Sequence, residues 1–258
     1  MHIISDLVEE IFAQAVALDQ SGGLRNTIYA IGHEIFILNY DHTVLLRFRL
    51  RRSEGQFETP ISFKANDYDS NMFEEVDGQI VFHSEKGEYL RKKSCGTTDL
   101  TPEEVRTLYH KYVAELPERE TIDLSRDVLD LLDENLSHIE FSGEEGENIK
   151  LLQRNIYSGG IIEITKKEEG LFTERLEYAF GPVGVKTDDF RALFTFQNTL
   201  KFSFPRRGRE DFVSVRSGDE SRRSITGVVA CCLYDEIIEI REVQVQKQAE
   251  ETKLKRRK

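Results

Sequence analysis

Long hydrophobic runs are missing: nowhere in the 258 residues does an apolar stretch approach the roughly 20 residues a membrane helix needs. A helical membrane span is thereby excluded. The first residues, MHIISDLVEEIF, carry Asp6, Glu9 and Glu10 where a secretory leader wants positive charge, so no leader is expected. Cysteine is scarce. Three residues (Cys95, Cys231, Cys232) cannot build a disulfide framework and fit a reducing, intracellular compartment. Cys231 and Cys232 adjoin in a strand-like run and would point to opposite faces, against a metal pair. Positive charge is in deficit, with 35 Lys+Arg against 47 Asp+Glu and a net charge of -12. Capture of nucleic acid by net charge is thus disfavoured, although a local basic surface stays compatible with it.

Motifs that carry catalysis are missing too. The six histidines show no H-E-x-x-H spacing, and there is no C-x-x-C, no G-x-x-x-x-G-K-[ST] and no G-x-S-x-G. Asp67-Tyr68-Asp69 reads as a solvated turn. The expectation is a protein that is not an enzyme and uses no cofactor and no metal.

What the chain does have is periodicity. Ile4, Leu7, Val8, Ile11, Phe12, Ala15 and Leu18 share one face of a helix over Ile3–Leu18, stopped by Ser21-Gly22-Gly23. Strands follow at Asn26–Ile31, Glu34–Tyr40 and Thr43–Arg51, separated by the short turns Gly32-His33 and Asp41-His42 that suit antiparallel hairpins, and Thr59–Ala65 is a further strand candidate. In the third, Leu46, Phe48 and Leu50 alternate with Arg47, Arg49 and Arg51, which predicts one core face and one wet face. A short helix is predicted at Tyr68–Val76, then a hairpin of Gln79–His83 and Glu88–Lys93. Thr101-Pro102-Glu103-Glu104 is a helix start with a capping box, and Leu108, Tyr112 and Leu116 form its stripe.

A similar order then recurs about 120 residues on. A helix is predicted at Leu124–His138, strands at Ile149–Tyr157, Ile161–Lys166 and Arg175–Phe180, a helix at Asp188–Phe202, and strands at Phe212–Arg216 and Ser224–Tyr234. The expected organisation is an N-terminal unit 1–96, a connector with a helix 97–120, a C-terminal unit 121–241 and a charged tail 242–258. The tail ends Lys253-Leu254-Lys255-Arg256-Arg257-Lys258, either a solubilising end or a nuclear import signal or nucleic-acid tether.

The run Asp41–Gly55, DHTVLLRFRLRRSEG, resembles the first domain of the proliferating cell nuclear antigen family of DNA sliding clamps, which has a similar His-led strand ending in Arg-Ser-Glu-Gly. Leu136-Ser137-His138-Ile139 and Ser142–Leu151 are similar to that family's second-domain helix end and following strand. The resemblance implies an α+β fold of two similar clamp-type domains, each with antiparallel sheets outside and two helices on the inner face. It implies a homotrimeric ring around double-stranded DNA, held without sequence preference, with a DNA polymerase and a clamp loader as partners and no membrane. It places DNA contacts at Lys201 (the family's inner-helix lysine) and His138 (its helix-end histidine), with Arg191 and Lys186 flanking the same helix. It places a partner-peptide pocket at Tyr40, His42 and Leu45, completed by Leu233 and Tyr234.

Departures accompany it. The charged residues of Ile3–Leu18 are all acidic, and Leu124–His138 sets Arg126 against Asp127, Asp130, Asp133 and Glu134. A subunit of a hetero-oligomeric checkpoint-type clamp, or a β-rich viral structural or interaction protein without a DNA role, therefore stays open beside the homo-oligomeric ring.

Overall fold

The computed structural model describes residues 10–18 (12 and 16 apart), 27–52, 56–64, 72–76, 79–83, 89–93, 100–114, 119–157, 160–169, 176–205, 212–217 and 225–231. Seven strands come first: β1 (Thr27–Gly32), β2 (Glu34–Leu38), β3 (Val44–Arg49), β4 (Phe57–Lys64), β5 (Met72–Val76), β6 (Gln79–His83) and β7 (Tyr89–Lys93). Helix α1 (Pro102–Ala114) leads to β8 (Arg119–Ser125), a 3-10 turn at Arg126–Leu131, β9 (His138–Gly143), β10 (Lys150–Tyr157), β11 (Gly160–Glu169) and β12 (Phe180–Lys186). Helix α2 (Thr187–Leu193), β13 (Thr199–Pro205), β14 (Phe212–Ser217) and β15 (Ile225–Ala230) follow.

Eight strands form one antiparallel sheet in the order β4-β1-β2-β3-β15-β14-β13-β8. Its middle is a seam between the two halves of the chain, with Ile225 opposite Phe48 and Val229 opposite Val44. A four-stranded sheet, β11-β10-β9-β12, and a three-stranded sheet, β5-β6-β7, complete the strands.

Period-two alternation gives the large sheet two apolar faces rather than one. On the first, Ile28, Ile37, Leu46, Phe48, Val229, Val215, Phe202 and Leu124 join the main core. Ile139, Phe141 and Leu151 from the four-stranded sheet pack into the same core. So do Ile11, Ala15 and Leu18 of the N-terminal helical segment, Val128 of the 3-10 turn, and Phe190 and Phe194 at α2. On the second face Tyr29, Phe36, Leu38, Leu45 and Val228 pack against Val105 and Tyr109 of α1. Each large side chain buried there is worth about 1.5–3 kcal/mol, so α1 is a fixed part of the fold.

The capping box forms as the sequence predicts: Thr101 N–H donates to Glu104 Oε2 at 2.7 Å, and Glu104 N–H to Thr101 Oγ1 at 3.2 Å. The buried stripe of α1 is Val105, Tyr109 and Val113, however, one position round from the expected Leu108 and Tyr112. Leu116 lies outside the described residues.

Several expectations are corrected. Leu124–His138 is not a helix. Gln153, fully buried on β10, accepts from Asp133 N–H (2.8 Å) and Asp133 Oδ1 accepts from Asn135 N–H (2.9 Å), so the backbone leaves the helical path after one 3-10 stretch. The helix predicted at Asp188–Phe202 ends at Leu193. There Phe194 and Thr195 N–H bond to Arg191 and Ala192 carbonyls in tight i→i+3 fashion, and alternating Leu200, Phe202 and Phe204 become strand β13. Met72–Val76 is strand β5, not part of a helix, paired from Met72 opposite His83 to Val76 opposite Gln79. Asp77-Gly78 between them is a residue pair that favours tight hairpin connections, a signal the helix reading passed over. Arg175–Phe180 gives way to a strand that begins at Phe180, because Leu176 and Glu177 are held by Glu147 O and Glu120 Oε1.

Candidate functional site

Helix α1 and the turn between β2 and β3 enclose an apolar pocket of about 460 Å³ on the second face of the large sheet. Val105, Leu108 and Tyr112 form the helix wall, with Leu100 just ahead of it. Leu38, His42, Thr43 and Leu45 form the hairpin wall; Phe212, Val228 and Ala230 form the floor. Tyr112 and Phe212 meet edge to face with centroids 4.9 Å apart. A pocket of this size with few polar groups suits apolar side chains presented by a ligand.

The helix wall is held by charge as well as packing. Glu34 on β2, 11% exposed, bonds Arg47 (3.1 Å) and Arg106 of α1 (2.9 Å), with His110 at 3.8 Å. The Arg47 guanidinium stacks 4.8 Å from the Tyr109 ring centroid, and the Tyr109 hydroxyl bonds Thr226 on β15. Burial pushes the Tyr109 hydroxyl pKa up, against the opposing pull of the Thr226 hydrogen bond and of Arg47. The face of β3 expected to be wet is in part covered, since Arg47 lies beneath α1.

The hairpin wall is an unusual turn. His42 takes a left-handed conformation (φ 57°), which costs a side-chain-bearing residue about 1 kcal/mol. Asn39, 3% exposed, compensates through Oδ1, which accepts from Thr43 N–H (2.8 Å) and Val44 N–H (2.9 Å).

Of the expected pocket residues, the structure brings His42 and Leu45 together in the lining. Tyr40 stands beside them at 54% exposure and is not part of the wall. Leu233 and Tyr234 lie outside the described residues. Leu38, Phe212 and Val228, among the lining residues that sequence reasoning missed, come from two halves of the chain that meet in this sheet at the seam, and no local pattern announces that meeting.

The expected DNA contacts do not form one group. Arg191 sits on α2, on the helical side of the core, with Nη2 3.0 Å from Glu134 Oε1. Its neighbours Ala17, Asp188, Ala192 and Thr195 border an open cleft of about 470 Å³, and Gln14 Nε2 donates to Ala192 O at 2.7 Å. The N-terminal helical segment, the 3-10 turn and α2 thus share one side. Among the described residues these segments and the adjoining 133–134 carry Glu10, Asp127, Asp130, Asp133, Glu134, Asp188 and Asp189 against Arg126 and Arg191.

His138 is the first residue of β9 rather than a helix end, and pairs in register with Lys186. Its Nδ1 lies 2.7 Å from Ser137 Oγ, and burial, then Lys186, lower its pKa. Lys186 Nζ reaches Asp41 Oδ2 at 2.9 Å. Lys201 is on no helix. It sits on β13 in a row that runs across the sheet through Arg216, Thr226, Arg47 and Phe36, the row under α1. Its side chain faces away from the helical side and pairs with Asp123 at 3.4 Å. The helix assignment of Lys201 is corrected because Leu200 and Phe202 need the core face of a strand.

Among the described residues no three His, Cys, Asp or Glu side chains are grouped to hold a metal ion, and no helix is long and apolar enough to cross a membrane.

No protein-family model and no curated protein matches the chain in sequence. Solved structures do match its fold. A β clamp of H. pylori in complex with 5-chloroisatin superposes with a TM-score of 0.58 at 14% identity, covering 90% of this chain and 64% of that one. The DNA polymerase III β subunit of Borrelia burgdorferi in complex with a natural product gives 0.59 at 11% identity, over 91% and 62%. The PCNA2–PCNA3 complex of Sulfolobus tokodaii gives 0.55 at 12% identity, over 90% of this chain and 98% of that one. The chain thus spans less than two thirds of these two bacterial clamps and nearly all of the archaeal chain. It has the α+β fold of the DNA sliding clamps.

Proposed function

We propose that the chain is a subunit of a ring-forming DNA sliding clamp, a non-enzymatic processivity factor that encircles duplex DNA and tethers a polymerase and other replication or repair proteins. One observation carries the reading. A single sheet built from both halves bears helical segments on one side and, on the other, a connector helix beside an apolar pocket. In this reading residues 1–96 and 121–241 are the two clamp units, 97–120 the connector and 242–258 a tail. The pocket receives short partner peptides through their apolar side chains. Arg191, with Lys186 and His138 beside α2, meets phosphates on the helical side; Lys201, on the opposite face, does not. Persistence comes from threading rather than adhesion, so contacts are sequence-independent and weaken as salt rises. The protein works inside the cell: in the nucleus if it is eukaryotic or viral in a eukaryotic host, otherwise in the cytoplasm.

The ring is a homotrimer closed head to tail. Static light scattering at micromolar concentration is expected to give three chains per particle, and loaded protein to stay on closed circular DNA but slide off once the DNA is cut. A strict monomer, with no retention on either template, overturns the proposal. The acidity of the helical segments favours a second reading, in which this chain joins other subunits that supply the positive charge. Assembly into a ring only on mixing with those subunits supports it.

A further inference from the structure

Helix α2 and the pocket lie on different faces of the large sheet, yet they touch at the β2–β3 turn. Thr43 Oγ1 donates to Asp189 Oδ2 at 2.7 Å, and Asn39 Nδ2 donates to Thr43 Oγ1 at 2.8 Å and approaches Asp189 Oδ1 at 3.5 Å. One residue before α2, Lys186 holds the other shoulder of the turn through Asp41 at 2.9 Å. From β15, Ala230 N–H donates to Thr43 O at 2.7 Å. Asp189 is 1% exposed, an expensive place for a carboxylate unless its oxygens are used. What they hold is the turn whose His42 is left-handed and whose His42 and Thr43 line the pocket.

We infer that Asp189 is a positioning residue for the pocket: from α2 it fixes Thr43, and through Thr43 the left-handed turn at His42, so that ligand binding beside α1 depends on how α2 is seated. The inference rests on the reading of the pocket as a peptide site. The dependence is reciprocal, as any coupling between two sites must be, so a load that displaces α2 on the helical side loosens peptide binding, and a bound peptide resists that displacement.

Fluorescence anisotropy with a short fluorescein-labelled peptide rich in aliphatic and aromatic side chains tests it on the full chain. Removing one partner of a buried hydrogen bond leaves the other unsatisfied, so Asp189→Ala and Thr43→Val are each expected to weaken peptide binding about tenfold. The double variant is expected to lose no more than either single one, because both remove the same link. Asp189→Asn keeps an acceptor for Thr43 and is expected to bind within about twofold of the parent. Thr43→Val serves if Asp189→Ala fails to fold. Full binding by Asp189→Ala and Thr43→Val, or additive losses in the double variant, overturns the inference while leaving the peptide site in place. Tyr112→Ala separates the two ideas, since it strips the helix wall without touching the turn. If the parent fails to bind the peptide, or Tyr112→Ala binds as tightly as the parent, the peptide-site reading falls and the inference with it.

Discussion

Asp189 shows how one buried group sets a pH dependence. Burial is the main cause that raises its pKa; Asp41 and Asp188 push the same way, while the Thr43 hydroxyl and Lys186 oppose it. A carboxyl whose folded pKa lies above its unfolded value holds its proton more tightly when folded, so stability falls as pH rises through that window. Asp189→Asn removes the cost of the buried charge and keeps an acceptor for Thr43. It is expected to melt close to the parent near about pH 4 and above it near about pH 7, the gap opening between those values. Thermal melts at both pH values check this, and a gap that closes as pH rises contradicts it. Nothing in the sequence singles out Asp189 from its neighbour Asp188. The two differ only in what folds over them, so the one that matters was legible only once β2, β3 and α2 were in place. Thr101 and Glu104 are the opposite case: capping is local, and the sequence predicts both the pair and the helix start.

Helix α1 is the element that most shapes the site. It is moored through Arg106 and His110 to Glu34 and through Tyr109 to Thr226. Hydrogen bonds to charged groups are worth about 1.5–3 kcal/mol, so Glu34→Ala is expected to loosen α1 by about 2 kcal/mol. Amide exchange over 102–114 then accelerates roughly 30-fold, while exchange in β13 stays unchanged. Equal acceleration in both elements argues instead for global destabilisation. The sequence carries α1's ends and its apolar character, but not its rotation. Leu108 and Tyr112 look like core by spacing and are pocket wall, because the sheet beneath has room for Val105 and Tyr109 and leaves the next stripe half open. The same limit explains Leu124–His138, whose helical spacing is overruled by buried Gln153 on β10, 20 residues beyond the Asp133 it holds.

At the scale of the whole molecule the two halves are not equal copies. Helical segments open and close the core, yet the second half replaces its first expected helix with a 3-10 turn, and β5 stands in the first half where a helix was expected. The sequence predicts the order of most strands because alternation is local; it does not predict which strands become neighbours across the seam. That seam is tight. At Gly227 on β15 a Cβ would come within 2.5 Å of Leu46 Cδ2 and 2.8 Å of Leu45 O on β3, and the backbone oxygen cannot step aside cheaply. Gly227→Ala is therefore expected to cost about 1–3 kcal/mol, read as a lower denaturant midpoint. A midpoint matching the parent would mean that the strands can separate slightly without loss. β3 and β15 pair from Val44 opposite Val229 to Phe48 opposite Ile225, so bending the sheet along that line would break hydrogen bonds between them. A closed assembly of such chains would therefore come apart more cheaply between neighbours than across that ladder.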